Sequence, residues 1–81
     1  LKEAEIYHVL TGVFSDAFGR ENMSITPDMS AKDVEGWDSI KMVAILMGVE
    51  ERFNIKLRSR DTDTLKTVGD LVDLIGAKTG G

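Results

Sequence analysis

The chain has no cysteine, and for a domain of 81 residues that is the tightest constraint on what it can fold into. A chain of this size buries only about 60% of its unfolded surface, so it lies near the lower limit for folding without covalent help. Disulfides cannot compensate, and a thiolate metal site is impossible. What remains is efficient packing of short, regular elements, and 42% of the side chains are hydrophobic. A compact helical domain is the expected solution.

The order of the residues points the same way. Ile6, Val9, Leu10, Val13, Phe14 and Ala17 recur at the spacing of one helical face. Gly12 weakens this first helix by up to about 1 kcal/mol relative to alanine, and Gly19 is placed to end it. Ser24 to Gly36 contains the only proline, Pro27, and reads as a long, partly ordered loop anchored by Ile25, Met29 and Val34. A second helix is expected from about Ser39 to Phe53, with Val43, Leu46, Val49 and Phe53 as its buried stripe. Asp38 can serve as its N-cap, and Trp37 can pack on Met42 as a hydrophobic staple. Asn54 tolerates the left-handed conformation that stops a helix.

Ile55 and Leu57 alternate with Lys56 and Arg58 like a strand, but no second strand signal exists to pair with it, so this is an extended connector. A short third helix or turn is expected at Asp61 to Leu65. In the fourth helix Thr67 is the N-cap, Asp70 sits in the first turn, Val68, Leu71, Val72 and Ile75 form the apolar face, and Gly76 is the terminator. The fold class is therefore all-α: a small four-helix bundle with a long loop between helices 1 and 2 and a short third helix. Residues 1–76 form a single domain, and residues 77–81 are expected to be a flexible tail.

Charge and hydropathy narrow the function classes. The net charge of -4 argues against nucleic acid as a partner. Met42 to Val49, the longest run free of polar side chains, is far short of a bilayer span, and no basic-then-apolar segment opens the chain. No stable membrane insertion is expected; a soluble, cytoplasmic monomer is. Between Asn54 and Lys66 lie four bases (Lys56, Arg58, Arg60, Lys66) and two acids (Asp61, Asp63), a local charge of +2. A solvated loop and a docking contact are both open readings of that stretch.

Ser39 stands in the run Gly36-Trp37-Asp38-Ser39-Ile40, at the start of the second helix. Free peptide NH groups and the positive end of the helix dipole gather there, so a phosphate fixed to its hydroxyl is favoured. A nucleophilic serine needs an adjacent base held by a third group, whereas the only histidine, His8, belongs to a different helix. Ser39 reads as a residue that is modified, with helix capping as the plainer alternative. No catalytic residue and no metal site are expected, and the chain is not read as an enzyme.

Asp38-Ser39-Ile40 is followed at fixed spacing by Val43, Leu46, Glu50-Glu51-Arg52-Phe53 and Asn54-Ile55-Lys56-Leu57. This pattern resembles the acyl carrier protein family, in which an Asp-Ser-Leu motif opens the second of four helices and its serine carries phosphopantetheine. The likeness extends more loosely from Ile6 to Ile75. It implies carriage rather than catalysis. A phosphopantetheinyl transferase would move the arm of 4′-phosphopantetheine from coenzyme A to Ser39, with magnesium at that enzyme, and the arm's thiol would hold acyl groups as thioesters. Asp38 would be the acid that the transferase recognises.

Acyl-loading and acyl-processing enzymes of lipid, polyketide or related biosynthesis are the implied partners. Trp37, Ile40, Lys41, Met42, Ala44 and Ile45 are the candidates for docking them. Val43, Leu46, Met47, Leu65, Val68 and Leu71 are candidates for lining an acyl pocket, although a small bundle needs the same side chains as core.

The pattern departs from fatty-acid carriers at Lys41 and Ala44, where that family commonly shows acids. Lys41 could neutralise the prosthetic phosphate or select a partner of different charge, and surface variation is a third reading. A specialised carrier outside the housekeeping fatty-acid cycle is the expectation. An aminoacyl or peptidyl carrier would use the same arm, but Trp37-Asp38 precedes Ser39 in place of a Gly-Gly-x-Ser signature. A carrier-like docking domain without a prosthetic group is a further alternative. An EF-hand is disfavoured because Leu65 and Lys66 follow Asp61-x-Asp63 where a ligand and a glycine are needed. Gly80-Gly81 resembles the end of a ubiquitin-like modifier, but the helices leave no sheet for that fold.

Overall fold

The computed structural model describes residues 2–21 and 23–80. Four helices follow one another: α1 (Glu3–Phe18), α2 (Ser39–Phe53), α3 (Ser59–Thr62) and α4 (Val68–Lys78). Helix α1 packs against both α2 and α4. Its stripe supplies Ile6, Leu10, Val13 and Phe14 to the core; α2 adds Ile45 and Val49, and α4 adds Val68, Leu71, Val72 and Ile75. Gly19 caps α1 in the left-handed conformation (φ 64°), and Asn54 does the same for α2 (φ 54°).

The loop between α1 and α2 is tied to the start of α4. Met23 and Val34 are buried, while Ile25 and Met29 pack against the core from its edge. The amides of Val68 and Gly69 donate to the carbonyls of Met29 and Pro27, both at 2.9 Å. A Cβ at Gly69 would stand 3.0 Å from the Pro27 carbonyl oxygen, so this crossing is tight for any residue larger than glycine. The bridge between Ser30 and Thr67 is isolated, and the connector at Ile55 to Arg58 stays extended without a strand partner.

Three expected details are corrected. Val43 does not belong to the buried stripe of α2 but is exposed; Ile45 takes its place in the core. The rotation follows from Gly48, which faces α1 closely enough that a Cβ there would meet Val13 Cγ1 at 2.9 Å. The third helix begins at Ser59 and ends at Thr62, two residues earlier than the expected start, because Asp61 accepts the Arg58 amide at 3.0 Å. Finally, α4 runs through Gly76 and takes in Ala77 and Lys78 from the expected tail. Packing beside Ile6, whose Cδ1 would lie 3.9 Å from a Cβ at Gly76, keeps the helix going, and Thr79 caps it with its hydroxyl on the Ile75 carbonyl at 2.8 Å. Gly81, the last residue of that tail, lies outside the described residues.

Candidate functional site

The turn before α2 is built from its backbone upward. Gly36 adopts φ 86°, a conformation that disfavours any side chain, and the Trp37 and Asp38 amides donate to the Val34 and Gly36 carbonyls at 3.2 and 3.1 Å. Asp38 then caps α2, its Oδ1 accepting the Lys41 amide at 2.9 Å. Ser39 follows as the first helical residue and is exposed.

Trp37 fixes the turn to the core. Its indole Nε1 donates to the Met42 sulfur at 3.4 Å. Its ring stands edge-on to Phe14, with centroids 5.2 Å apart, and to Phe18 at 6.4 Å. The expected staple of Trp37 on Met42 is present, but the indole packs inward and is half-buried rather than offered to a partner.

Beside Ser39 opens a cleft of about 370 Å³ between α2, α3 and α4. Met42, Leu46, Leu65 and Leu71 form its apolar walls together with Trp37, and Asp38, Ser39, Thr62, Lys66 and Thr67 supply its polar groups. The structure thus brings Leu46, Leu65 and Leu71 together as expected and rejects the other three pocket candidates. Val43 and Met47 point to solvent, and Val68 is buried in the core behind the cleft. Lys66 and Thr67 were legible only as a loop charge and a helix cap, since nothing in their spacing places them across from Ser39.

The docking candidates divide as well. Ile40 and Ala44 are exposed on α2. Ile45 is fully buried and cannot dock a partner, and Met42 is half-buried at the cleft. The Lys41 ammonium lies 5.6 Å from the centroid of the Phe18 ring, a cation–π contact that draws it back over α1.

The start of α4 is strongly determined. Thr67 Oγ1 accepts the Asp70 amide at 3.2 Å, while Asp70 Oδ2 accepts the Lys66 and Thr67 amides at 3.0 and 3.1 Å. Those two backbone donors hold the Asp70 carboxyl below the usual carboxylate range. Asp61 is likewise lowered, chiefly by the Arg58 amide and then by Lys78, whose Nζ is 3.0 Å from Oδ2. His8 lines a separate groove on α1 with Gly12, Ser15 and Arg52, so no imidazole shares the cleft of Ser39. Among the described residues, no group of three His, Cys, Asp or Glu side chains is arranged to hold a metal ion. No helix among them is long and apolar enough to cross a membrane.

The family model for a phosphopantetheine attachment site matches residues 8–75 of the chain. Over 61 residues the chain is 38% identical to the acyl carrier protein of Exiguobacterium sibiricum, covering 75% of this chain and 77% of that protein. It is 32% identical over 79 residues to the acyl carrier protein of Acidothermus cellulolyticus, covering 98% and 94%. The fold is similar to the solution NMR structure of a holo acyl carrier protein from Geobacter metallireducens, with a TM-score of 0.86 and 31% identity over 93% of this chain and 86% of that one.

Proposed function

This chain belongs to the acyl carrier protein family, an acyl carrier with 4′-phosphopantetheine as its prosthetic group, and from that premise we propose that Ser39 is the attachment point. The observation that carries the assignment is the position of Ser39: exposed at the first residue of α2 and on the lip of the cleft shared with Asp38 and Lys66. The residues present suit the group. An anionic phosphodiester at Ser39 meets the unpaired amides and positive dipole end of α2, with the Lys66 cation on the same lip. Once attached, the arm supplies a terminal thiol on which an acyl group is held as a thioester, a function this cysteine-free chain lacks.

The chain's own residues hold and present. Asp38, bonded to the Lys41 amide, keeps the turn in register and offers a carboxylate beside the reacting hydroxyl for a phosphopantetheinyl transferase to recognise. Met42, Leu46, Leu65 and Leu71 offer an apolar bed for the first part of an acyl chain, and Met42 can shift to admit it. Lys41 and Ala44, standing where fatty-acid carriers commonly have acids, support a role outside the housekeeping cycle. The partners are the transferase and enzymes that load and process acyl groups.

The test is to prepare the arm-bearing protein with coenzyme A and a broad transferase, then offer it to acyl-loading and to amino-acid-adenylating enzymes. An acyl thioester on the native chain and none on Ser39→Ala supports the reading. Charging with amino acids alone would overturn it.

A further inference from the structure

We propose that the ion pair between Asp61 and Lys78 limits the length of acyl chain this carrier shelters, by holding α3 in place as the one movable wall of the cleft. The proposal rests on Ser39 as the attachment point, since it concerns the cargo of an arm fixed there. Two of the cleft's walls are set by the core. On the α2 side, Ile45 and Val49 are fully buried and Trp37 stands against Phe14. On the α4 side, Val68 and Leu71 are buried, and the amides of Val68 and Gly69 are bonded to the Met29 and Pro27 carbonyls. Neither wall can move without breaking close packing.

The third wall is held differently. It comes from residues 58–65, which place Thr62 and Leu65 on the cleft. Leu65 is the only apolar residue of that segment and is half-buried, and α3 itself has no buried residue. Among the described residues, every hydrogen bond the segment makes is internal, as with the Arg58 amide on Asp61 and the Thr62 hydroxyl on the Ser59 carbonyl. The residues on either side are anchored, because Leu57 donates to Glu50 and Lys66 donates to Asp70. Between those anchors, the one polar tie to the rest of the chain is Asp61 to Lys78 at 3.0 Å. Asp61 and Lys78 are 17% and 32% exposed, whereas Asp16 and Arg52 are 70% and 40% exposed. Shielding from solvent makes the Asp61 pair the stronger tie of the two.

The size of the cleft follows from that tie. With α3 held, the cleft is about 370 Å³, near the small end of the ~300–1,000 Å³ pockets that enclose small molecules. The end of the arm and the first carbons of its cargo must share this space. Beneath it the core is closed, with Ile45, Val49 and Val68 fully buried. A longer chain therefore gains room only if α3 swings outward, which parts Asp61 from Lys78. The pair opposes long cargo and leaves short cargo alone.

The test uses acetyl, butyryl, hexanoyl, octanoyl and decanoyl arms, each transferred whole from its coenzyme A thioester by a broad phosphopantetheinyl transferase. Two readouts are compared: the gain in melting temperature over the protein bearing the bare arm, and the rate at which hydroxylamine cleaves the thioester. Loss of Lys78 from the last turn of α4 lowers the melting of every form alike, so the gain is the informative quantity. In the parent the gain should level off within the series. In Lys78→Met, and in Asp61→Asn, which keeps an acceptor for the Arg58 amide, it should continue to the longer chains. Cleavage of the decanoyl form should then slow by about fourfold for each further methylene sheltered. Lys78→Arg keeps the cation and should keep the parent profile. The same chain-length profile in the parent, Lys78→Met and Asp61→Asn would overturn the proposal while leaving Ser39 as the attachment point. A gain that rises through decanoyl in the parent would do the same. If no arm is added at all, the assignment of Ser39 fails, and the limit on cargo fails with it.

Discussion

The Trp37 indole donates to the Met42 sulfur at 3.4 Å, spanning the turn on which Ser39 sits. The same indole stands against Phe14 and Phe18, so the attachment turn is braced by α1 as well as by α2. Met42→Ala removes one side of that brace. Because Met42 is only half-buried, the loss should be about 1–2 kcal/mol, below the ~2–5 kcal/mol of fully buried truncations. Urea unfolding followed through Trp37, the only tryptophan, measures it.

Capping and recognition at Asp38 can be separated. Asp38→Ala removes the acceptor for the Lys41 amide and should cost about 1 kcal/mol of stability. Asp38→Asn keeps an acceptor and should cost little, since asparagine caps as well as aspartate. If the charge is what a transferase recognises, arm transfer falls sharply in both variants while only the alanine variant melts earlier. Equal transfer to Asp38→Asn and the parent would leave capping as the role of Asp38.

Two helical glycines should respond oppositely to alanine. At Gly48 the added Cβ meets Val13 Cγ1 at 2.9 Å, and Val13 is buried at 3% exposure in the core. The gain in helix propensity, about 1 kcal/mol, is then outweighed by overpacking of ~1–3 kcal/mol, and Gly48→Ala lowers the melting temperature. At Gly12 the near atom is Arg52 Nη1 at 2.8 Å, the far end of a flexible, exposed side chain. Moving it disturbs only the surface pair with Asp16, worth ~0–1 kcal/mol, so Gly12→Ala should be neutral or stabilising. Thermal melts of the two variants beside the parent decide the matter.

Acid should loosen the cleft from its α4 side. The carboxyls of Asp61 and Asp70 are lowered from the usual 3.8, mainly by backbone donors. A folded pKa below the unfolded one means folding favours the charged form. Its contribution is therefore fully present above 3.8 and is lost as pH falls through the lowered folded values. Asp70→Asn keeps an acceptor without the charge. Its deficit in melting temperature relative to the parent should be constant near neutral pH and narrow below 3.8.

Much of this architecture could be read from residue order, and the exceptions have physical causes. Helix α1 was legible because its apolar residues occupy one face only. The entry to α2 was legible because Asp38, Trp37 and Met42 each have a local role. Its rotation was not, since Ile40, Met42, Val43, Ile45, Leu46 and Met47 place apolar groups almost all round the helix, and the deciding contact, Gly48 on Val13, is tertiary. That one ambiguity misplaced Val43, Met47 and Ile45 together. Gly76 misled for a similar reason: packing against α1 overrides the glycine penalty. Lys66 joined the site only because the loop at Pro27 and Met29 fixes the start of α4, a crossing with no local signature.

The central claim is that Ser39 carries the arm, and localising the modification within the chain tests it most directly. The chain is incubated with coenzyme A and a broad phosphopantetheinyl transferase, digested, and sequenced by fragmentation mass spectrometry. The account predicts a single phosphopantetheine on the peptide holding Asp38-Ser39-Ile40, assigned to Ser39 and absent from Ser39→Ala. An arm on another serine, or an unmodified chain under conditions that load a control carrier, would contradict it.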